Sequence, residues 1–282
     1  MRIGNADSRE SEASVRTSAP SDLTTSPVAS DRNGGAAGSG ALRPEAPRVS
    51  AVIPTLNEAQ NLPHVLAELP TWLHELIIVD GLSTDDTIEV AREHYPRVKI
   101  VSQTRRGKGN ALSCGFAAAT GDIIVMLDAD GSTRAREIPR FVDALCAGAD
   151  YAKGSRNLEG GGSEDITFVR HAGNALLSGL VNMLFGTRYS DLCYGYNAFW
   201  TRCLPQLNVD CDGFEVETLL NIRAAKAGLA IVEVPSNEAC RIHGESNLRT
   251  FRDGFRVLRT IVRERLRRQP AARLVDAVAV RA

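Results

Sequence analysis

The sequence predicts an α/β fold in which helices flank a mostly parallel central sheet. Two observations predict this fold. Short apolar runs, partly β-branched and bounded by polar residues or glycine, recur from Arg48 onward, as in the buried strands of a parallel sheet. Segments of helical length separate these runs, and this alternation is typical of a doubly wound domain with right-handed connections.

Four strands are expected in the first part of the domain, at residues 49–53, 76–79, 98–101 and 123–127. Helices are expected after them, at residues 61–69, 84–94, 108–119 and 136–146. Each strand therefore ends in a loop that leads to a helix. Because ligands of open α/β sheets bind beyond the carboxyl ends of the strands, these loops are where functional residues are expected.

The chain divides into one folded domain and two tails. Its 282 residues, 43% of them hydrophobic, suffice for one full α/β domain with a buried core. Residues 1–47 are rich in Ser, Ala, Gly, Pro and Thr, with few large apolar side chains, so we expect a disordered tail there. The folded domain is expected at residues 48–268, and a flexible tail at residues 269–282.

Charge and cysteine content exclude several classes of protein. The formal net charge is −1, from 33 Lys and Arg against 34 Asp and Glu, so no general field attracts nucleic acid. The six cysteines form no C-x-x-C pair, which argues against a zinc site and against a disulfide framework. Neither a membrane-spanning apolar run nor a signal-peptide core is present, so we expect a cytoplasmic protein that can still touch the inner face of a membrane.

Two carboxylates follow the fourth predicted strand. Asp128 and Asp130 are residues i and i+2 at a strand end, so their side chains point to the same side and can share one hard cation, Mg²⁺ or Mn²⁺. A second D-x-D pattern, at Asp210 and Asp212, follows no buried strand. On position alone, the first pair is a candidate metal site, with solvated acids at a strand end as the alternative.

A short glycine-containing segment, Gly107-Lys108-Gly109-Asn110, precedes a predicted helix. Its glycines and Lys108 have the chemistry to hold a phosphate group at the amino end of that helix. The spacing is not that of a Walker loop, and G-x-G-x-x-G is absent from the sequence. An ordinary turn is therefore the alternative interpretation.

Taken in order, several motifs resemble glycosyltransferase family 2, and within it the branch similar to dolichyl- or polyprenyl-phosphate mannosyltransferases. The resemblance extends from about Val49 to Leu258. It rests on the segments at 52–58, 78–85, 106–111, 127–131, 153–156, 213–217 and 241–247. It implies the GT-A fold, a nucleotide diphosphate sugar as donor and a Mg²⁺ or Mn²⁺ ion at Asp128 and Asp130.

The resemblance also implies roles for individual residues in binding the donor. Pro54, Leu56 and Glu58 would border the nucleotide, and Val79 with the Asp80 loop would hold the base. Asp128, Ala129 and Asp130 would hold the ribose, the diphosphate and the metal. Arg156 and Arg241 would face donor or acceptor phosphates, a task that suits arginine by its fixed fork of donors. Lys108, from the glycine-containing segment, is a further candidate for binding the donor. Leu56, Gly81 and Asn247 stand where the family often has Tyr, Asp and Lys, and Asn247 therefore lacks a positive charge near the phosphates.

Three further carboxylates are candidates for the acceptor side of the site. Asp191 begins a segment similar to the one that the family places beneath the acceptor, although a simple turn also fits. Glu215 and Glu217 alternate ahead of a helix expected at residues 218–227, and either has the chemistry of a general base if the acceptor is a hydroxyl. A structural role, such as orienting an arginine, is the alternative for both glutamates.

Two later helices are expected to be amphipathic. Residues 166–185 carry an apolar face that indicates packing on the core, with a groove for a lipid chain as the alternative. The face consists of Leu176, Leu177, Leu180, Val181 and Leu184. Residues 247–268 carry arginines at positions 249, 252, 256, 259 and 263 beside apolar residues at positions 251, 255, 258, 262 and 266. We expect this apolar stripe to pack on the domain, while contact with an anionic membrane is the alternative.

The leading hypothesis is an inverting hexosyltransferase that moves mannose or glucose from a GDP- or UDP-sugar to a polyprenyl phosphate. In this hypothesis, Asp128, Asp130, Asp191 and Glu217 are the candidate catalytic residues. A hydroxyl acceptor on a glycan or small metabolite is the first alternative, and it would require Glu217 or Asp191 as a base. A nucleotidyltransferase or a non-catalytic nucleotide-binding module is the alternative from another class of protein.

Overall fold

The computed structural model describes residues 46–245 and 248–267. The predicted tails at residues 1–47 and 269–282 therefore lie outside the described residues, apart from Ala46 and Pro47. The predicted donor-binding residue Asn247 also lies outside them.

Seven strands form the central sheet, in the order β3-β2-β1-β4-β7-β5-β8, and β7 is antiparallel to both of its neighbours. A separate two-stranded parallel sheet pairs β6 with β9. The strands are β1 (Val49–Thr55), β2 (Glu75–Asp80), β3 (Lys99–Ser102), β4 (Ile123–Met126), β5 (Tyr151–Ser155), β6 (Gly162–Ser163), β7 (Asn197–Trp200), β8 (Ile231–Pro235) and β9 (Asn237–Glu238).

Helices cover the central sheet and line its carboxyl-terminal edge. Short 3₁₀ segments, Ala135–Glu137 and Thr201–Cys203, precede the fourth and sixth α-helices. The α-helices are α1 (Leu62–Ala67), α2 (Thr87–His94), α3 (Lys108–Ala118), α4 (Ile138–Cys146), α5 (Phe168–Phe185), α6 (Leu204–Leu207), α7 (Val216–Lys226) and α8 (Thr250–Leu266).

The central sheet separates two hydrophobic clusters, and strand β1, near the centre of the sheet, contributes to both. Since successive side chains of a strand point to opposite faces, Ala51 and Ile53 join one hydrophobic cluster, whereas Val52 joins another. On the second face, α3 lies close to the sheet at Gly115, where an added Cβ would be 2.4 Å from Val52 Cγ1. The glycine therefore sets how near α3, and the residues at its start, come to β1.

The predicted fold class is confirmed, with corrections to individual elements. The first four strands begin within one residue of their expected positions, but β3 is only half-buried because it lies at the edge of the sheet. Strands β5, β7 and β8 were not expected from hydrophobic patterning. Strand β5 contains Lys153, which is fully buried, and its burial lowers the pKa of the Lys153 amine.

The expected orientation of the last helix is wrong. The apolar stripe of α8 faces outward, and the face that packs on the domain contains Asp253, Val257, Thr260, Ile261 and Glu264. Polar side chains occupy this face because they have partners. Glu264 accepts hydrogen bonds from Arg223 and Lys226 of α7, and Asp253 accepts one from the backbone amide of Arg249.

Helix α5 agrees in part with its expected packing. Val181 is fully buried, while Leu176 is 75% exposed. The helix begins at Phe168 because the hydroxyl of Thr167 caps it by accepting from Arg170 N at 3.4 Å. Among the helices of the described residues, none has the length and hydrophobicity needed to span a membrane.

We expect the Glu264→Ala substitution to weaken the attachment of α8. Arg223 Nη2 lies 2.8 Å from Glu264 Oε1, and both side chains are at least nine-tenths buried. Removing the carboxylate leaves a buried cation with one fewer partner, which lowers the free energy of unfolding by about 3 kcal/mol. Urea denaturation measures this change. The exposed Glu93 of α2 provides the control substitution Glu93→Ala, and equal effects of the two changes would contradict the assignment.

Candidate active site

A cavity of ≈ 390 Å³ opens at the carboxyl-terminal edge of the sheet. Its polar end lies where β1 and β4 finish and where α3 begins. Its other end extends between α5 and α8. The residues that form the polar end include Pro54, Leu56, Glu58, Lys108, Asp128, Ala129, Asp130, Arg156, Glu217 and Arg241.

One side of the polar end is built around a buried lysine. Lys108 Nζ lies 2.5 Å from Asp128 Oδ1 and 2.7 Å from Glu217 Oε1. Burial alone would lower the pKa of Lys108, but the two carboxylates outweigh it and raise that pKa. Burial also raises the pKa of Glu217, and Lys108 counteracts this effect. The first amino acid of α3 thus holds together one acid from the end of β4 and one from α7.

The other side of the polar end is built around an arginine. Arg241 Nη2 lies 2.9 Å from Asp130 Oδ2, and Arg241 Nη1 lies 3.1 Å from Glu58 Oε1. Burial raises the pKa of Glu58, although Arg241 and the side-chain amide of Asn61 lower it in part. The segment after β9 reaches this position because Ile242 N donates to Asp130 O at 3.2 Å.

A third group of charges lies along the wall of the cavity. Arg156 Nε lies 2.7 Å from Asp191 Oδ2, and Arg156 Nη1 lies 2.9 Å from Glu238 Oε2. Asp191 is fully buried and does not line the cavity. Its burial would raise its pKa, but the hydrogen bonds from Arg156 bring that pKa below its ordinary value. Asp191 therefore orients Arg156, which itself faces the cavity.

The predicted donor-binding residues Val79, Asp80 and Leu56 differ in whether they reach the cavity. Val79 is fully buried in the core, and Asp80 accepts hydrogen bonds from the backbone amides of Leu82 and Ser83 in its own loop. Neither Val79 nor Asp80 lines the cavity, whereas the next residue, Gly81, does. Leu56 is 43% exposed at the cavity, which leaves its side chain available to a ligand.

The glycine-containing segment at the start of α3 acts as a turn through its backbone. The amides of Gly109 and Asn110 donate to the carbonyl of Asp212, so they are not directed at a ligand. An added Cβ on Gly109 would lie 2.5 Å from Cys211 O, which explains the glycine. Of the four residues in this segment, Lys108 is the one that brings a charge to the cavity.

The second D-x-D pattern is structural. Asp210 pairs with Arg223, Arg263 and Arg267, and Asp212 pairs with Arg105. The first pattern follows β4, as expected, and the second follows α6 rather than a strand. The helix expected at residues 218–227 begins earlier, at Val216, so Glu217 lies within the first turn of α7.

Sequence reasoning missed two residues that shape the site. A Cβ on Gly195 would lie 3.0 Å from both Asp128 Oδ2 and Lys108 Nζ, so a glycine there lets the charged groups approach the backbone. Asn61 accepts a hydrogen bond from His243 N and donates others to Glu58 and to His243 O. It joins the loop after β1 to the segment that carries Arg241. Neither residue belongs to a pattern of charged groups, so the local sequence does not mark either one as part of the site.

The opposite end of the cavity combines aliphatic side chains with the polar residues Arg170, Asn174, Thr250 and Asp253. Helix α5 contributes Val169, Gly173 and Leu177, and helix α8 contributes Gly254 and Val257. An added Cβ on Gly173 or Gly254 would meet no atom within 4 Å, so both glycines leave open space. This end is a groove between two helices that leads directly to the ionic groups.

Asp128 and Asp130 have the oxygen chemistry of ligands for a divalent metal ion, although Asp130 is already engaged by Arg241 and Ser132. In the described part of the chain, no group of three or more His, Cys, Asp and Glu side chains is arranged as a complete metal site. Asp128 and Asp130 supply hard carboxylate oxygens on one wall of the cavity, and Lys108 contacts Oδ1 of Asp128. Mg²⁺ commonly takes one or two protein carboxylates and completes its shell with phosphate and water oxygens.

The family model of glycosyl transferase family 2 matches residues 50–202. The chain belongs to this family. The match covers the strands β1, β2 and β4 and both carboxylates of the first D-x-D pattern. The predicted family and the prediction of a hexosyltransferase are confirmed, in preference to a nucleotidyltransferase or a non-catalytic module.

Two curated relatives extend the comparison. The chain is 32% identical to a dolichol-phosphate mannosyltransferase of Pyrococcus furiosus over 72% of its own length and 59% of that protein. It is 33% identical to a polyprenol monophosphomannose synthase of Mycolicibacterium smegmatis over 67% of its own length and 76% of that protein. The chain thus spans about three fifths of the length of the Pyrococcus relative.

A solved structure supports the fold. The chain resembles glucosyl-3-phosphoglycerate synthase from Mycobacterium tuberculosis, crystallised with Mn²⁺, uridine diphosphate and glucosyl-3-phosphoglycerate. The TM-score is 0.61 at 26% identity, and the match covers 77% of this chain and 80% of that one. The GT-A fold predicted for this glycosyltransferase is therefore confirmed.

We expect the Asp191→Asn substitution to lower transfer activity by about tenfold or more, because the asparagine amide cannot accept both hydrogen bonds from the Arg156 guanidinium. The loss of a hydrogen bond to this buried group should also lower the melting temperature, since the Arg156 guanidinium is only 10% exposed. Steady-state kinetics over a range of pH, with thermal unfolding, measure both. If Asp191 were instead a general base, the variant would keep its melting temperature and lose the acidic limb of the kcat profile.

Proposed function

We propose that this enzyme transfers a hexosyl group, mannose or glucose, from a GDP- or UDP-sugar to a polyprenyl phosphate with inversion at the anomeric carbon. The observation that carries the proposal is the cavity that joins the D-x-D carboxylates to a groove with aliphatic side chains. The carboxylates suit the diphosphate of a nucleotide sugar and its metal ion. The groove suits an isoprenoid chain. The names of two relatives, a dolichol-phosphate mannosyltransferase and a polyprenol monophosphomannose synthase, support mannose as the sugar and a lipid phosphate as the acceptor.

The polar end of the cavity would hold the donor. Asp128 and Asp130 would hold Mg²⁺ or Mn²⁺ with the diphosphate. When bound, the ion supplies Lewis-acid stabilisation of the negative charge on the departing nucleoside diphosphate. Lys108 and Arg241 lie against these carboxylates and add fixed positive charge beside the same group. The Mn²⁺ and uridine diphosphate in the glucosyl-3-phosphoglycerate synthase complex support this arrangement.

The groove between α5 and α8 would hold the first isoprene units of the acceptor. Its walls, from Val169, Leu177 and Val257, offer apolar contact, and Gly173 and Gly254 leave room for a chain. A phosphate at the head of that chain would then lie near Arg156 and Arg170, which line the same cavity.

The reaction needs no general base if the acceptor is a phosphate. A phosphate oxygen, already ionised near neutral pH, attacks the anomeric carbon as the bond from that carbon to the diphosphate breaks. Glu217 is fully buried and paired with Lys108, so its role in this mechanism is to hold Lys108 in place.

A hydroxyl acceptor is the second candidate, and one observation favours it. Glu217 lines the cavity, and burial raises its pKa, as is common for a general base. The solved complex contains glucosyl-3-phosphoglycerate, a glucosylated small metabolite. In this second mechanism, Glu217 would take the proton of the attacking hydroxyl.

The place of the reaction follows from the substrates. Nucleotide sugars are water-soluble, whereas polyprenyl phosphates reside in membranes. We therefore propose a peripheral position at the cytoplasmic face of a membrane, where both substrates meet.

We expect the Asp130→Ala substitution to abolish metal-dependent transfer, by about 100-fold or more, because a charged ligand of the diphosphate-bound metal is lost. Transfer from radiolabelled nucleotide sugars, with and without Mg²⁺ or Mn²⁺, measures the effect. The matched control is Asp212→Ala, which removes an acid of the structural D-x-D pattern. Full metal-dependent activity of the Asp130→Ala protein would exclude the proposed donor site.

The Glu217→Gln substitution separates the two candidate acceptors. With a phosphate acceptor, we expect a folded enzyme that keeps much of its activity, because the side-chain carbonyl of the introduced glutamine can still accept a hydrogen bond from Lys108. With a hydroxyl acceptor, kcat should fall by about 100-fold or more, since the base is lost. Kinetics with whichever acceptor the unaltered enzyme uses, a polyprenyl phosphate or a hydroxyl compound, measure the outcome, and Glu215→Gln is the control. A large loss of kcat in a protein with an unchanged melting temperature would contradict the phosphate-acceptor mechanism.

A further inference from the structure

Six side-chain atoms in the described part of the chain are buried without a hydrogen-bond partner, and most of them lie in one place. Four belong to residues of the central sheet and of α7: Tyr151 Oη, Asn197 Oδ1, Asn197 Nδ2 and Thr218 Oγ1. All three residues are fully buried. Because nearly all buried polar atoms in folded proteins have a partner, this group indicates a partner that protein atoms do not supply.

Strand geometry places two polar side chains side by side between β5 and β7. Tyr151 of β5 and Phe199 of β7 belong to the hydrophobic cluster that contains Leu219 of α7. Since side chains two residues apart on a strand point to the same face, Lys153 and Asn197 also lie on this face. They are directly opposite each other in the antiparallel pair. Lys153 and Asn197 therefore form a polar row across an otherwise apolar face.

Lys153 brings a positive charge to this row. Its amine donates to Gly154 O at 2.9 Å and to Tyr194 O at 3.5 Å. Burial lowers the pKa of the amine, although the charge of Asp191 raises it in part. An ammonium group has three donor hydrogens, so these two contacts leave one donor for a further acceptor.

The ionic groups of the active site lie one step further along the same strands. Asp128 follows β4, which pairs with β7 at Asn197, and Gly195 precedes Asn197 by two residues. An added Cβ on Gly195 would lie 3.0 Å from both Asp128 Oδ2 and Lys108 Nζ. The polar row therefore lies directly beneath the ion pair between Lys108 and Asp128.

Helix α7 covers this row. Thr218 and Asn221 are one turn apart and face the same way, and Asn221 Oδ1 is a further unpartnered atom. Asn221 Nδ2 donates to Leu192 O at 2.9 Å, so this face of α7 lies against the segment that leads into β7. Burial raises the pKa of the Tyr151 hydroxyl, and the charge of Glu217 adds to this effect. Glu217 is therefore close to the same enclosed space.

We propose that β5, β7 and α7 enclose a binding site for ordered water, which joins Lys153, Asn197 and Tyr151 to the polar side chains of α7. Buried water typically makes about three hydrogen bonds to polar groups that lack other partners. Lys153 and the amide nitrogen of Asn197 offer donors, while the oxygens of Asn197, Thr218 and Asn221 offer acceptors. This mixture of donors and acceptors selects water over an anion or a metal ion.

The bound water makes Lys153 and Asn197 positioning residues for sugar transfer. It supports the segment that carries Gly195, and this segment together with Glu217 holds Lys108 in place. Lys153 and Asn197 do not line the cavity, so they act through these neighbours. The positioning role rests on the proposed function, which assigns Lys108 to the departing diphosphate, whereas the water site does not.

A high-resolution crystal structure of the unaltered protein tests the water site directly. We expect an ordered water within about 3.2 Å of Asn197 and of a second member of the group, Tyr151 or Thr218. A dry interior, or direct contacts among these side chains in place of water, would overturn the inference. Because this experiment needs no substrate, its result is independent of the proposed function.

The Asn197→Leu substitution tests the positioning role, because it replaces the amide by an apolar group of similar size. We expect a lower melting temperature and a kcat that falls by about fivefold, with the KM of the nucleotide sugar unchanged within about twofold. The Asn197→Ser protein keeps a polar group and has room for further water, so its kcat should stay within about twofold of the unaltered value. Kinetics with whichever acceptor the unaltered enzyme uses measure these changes.

The opposite results have a clear meaning. If the space were dry, Asn197→Leu would remove unpartnered polar atoms and would leave the melting temperature equal or higher. An unchanged kcat, or a lower kcat for Asn197→Ser than for Asn197→Leu, would reject the positioning role. The control is Met126→Leu, which changes an apolar side chain directly opposite Asn197 on β4 and should leave kcat within about twofold.

The Thr218→Val substitution provides a second variant in case Asn197→Leu does not fold. It removes the hydroxyl with little change in size, and we expect kcat to fall by about threefold. If both residues bind the same water, the double variant should lose less activity than the product of the two single losses. Losses that simply multiply would show that Asn197 and Thr218 act separately and would contradict the shared site.

Discussion

The site depends on holding several carboxylates together in a partly buried place. Asp128, Asp130, Glu58 and Glu217 line one cavity, and like charges that close would repel strongly where water is scarce. Lys108 and Arg241 make the arrangement possible, because each lies between two of the acids. The two cations come from α3 and from the segment after β9. Distant parts of the sequence must therefore fold together before the site exists.

The parts of this arrangement that could be predicted are those that local sequence determines. Strands β1, β2 and β4 are short apolar runs, and the position of Asp128 and Asp130 after β4 follows from strand geometry and from the rule for open α/β sheets. Lys108 could be found from its place at the start of a helix. Its contact with Glu217, more than one hundred residues later, could not, because nothing in the local pattern fixes how α7 lies against α3.

The failures of prediction have a common physical cause. Hydrophobic patterning assumes that apolar faces turn inward, and β5 and α8 violate this assumption. Lys153 is buried in β5 because its amine donates to the carbonyl of Gly154, and Glu264 is buried on α8 because it pairs with Arg223. A polar group that is hydrogen-bonded or ion-paired can be buried at a much smaller cost in free energy than an unpaired one. Once Glu264 is anchored in this way, the apolar stripe of α8 must face outward, whatever its hydrophobicity.

The two ends of the cavity place opposite demands on a substrate. The ionic end requires a charged or strongly polar group that can replace water around Lys108, Arg241 and the carboxylates. The groove between α5 and α8 offers apolar contact from Val169, Leu177 and Val257 next to the open spaces at Gly173 and Gly254, although Arg170, Asn174 and Asp253 also line the cavity there. A small polar acceptor would satisfy the first demand and leave the groove empty of apolar atoms. An acceptor with a phosphate head and an isoprenoid chain satisfies both, so the groove is the feature that favours a lipid phosphate over a soluble hydroxyl compound.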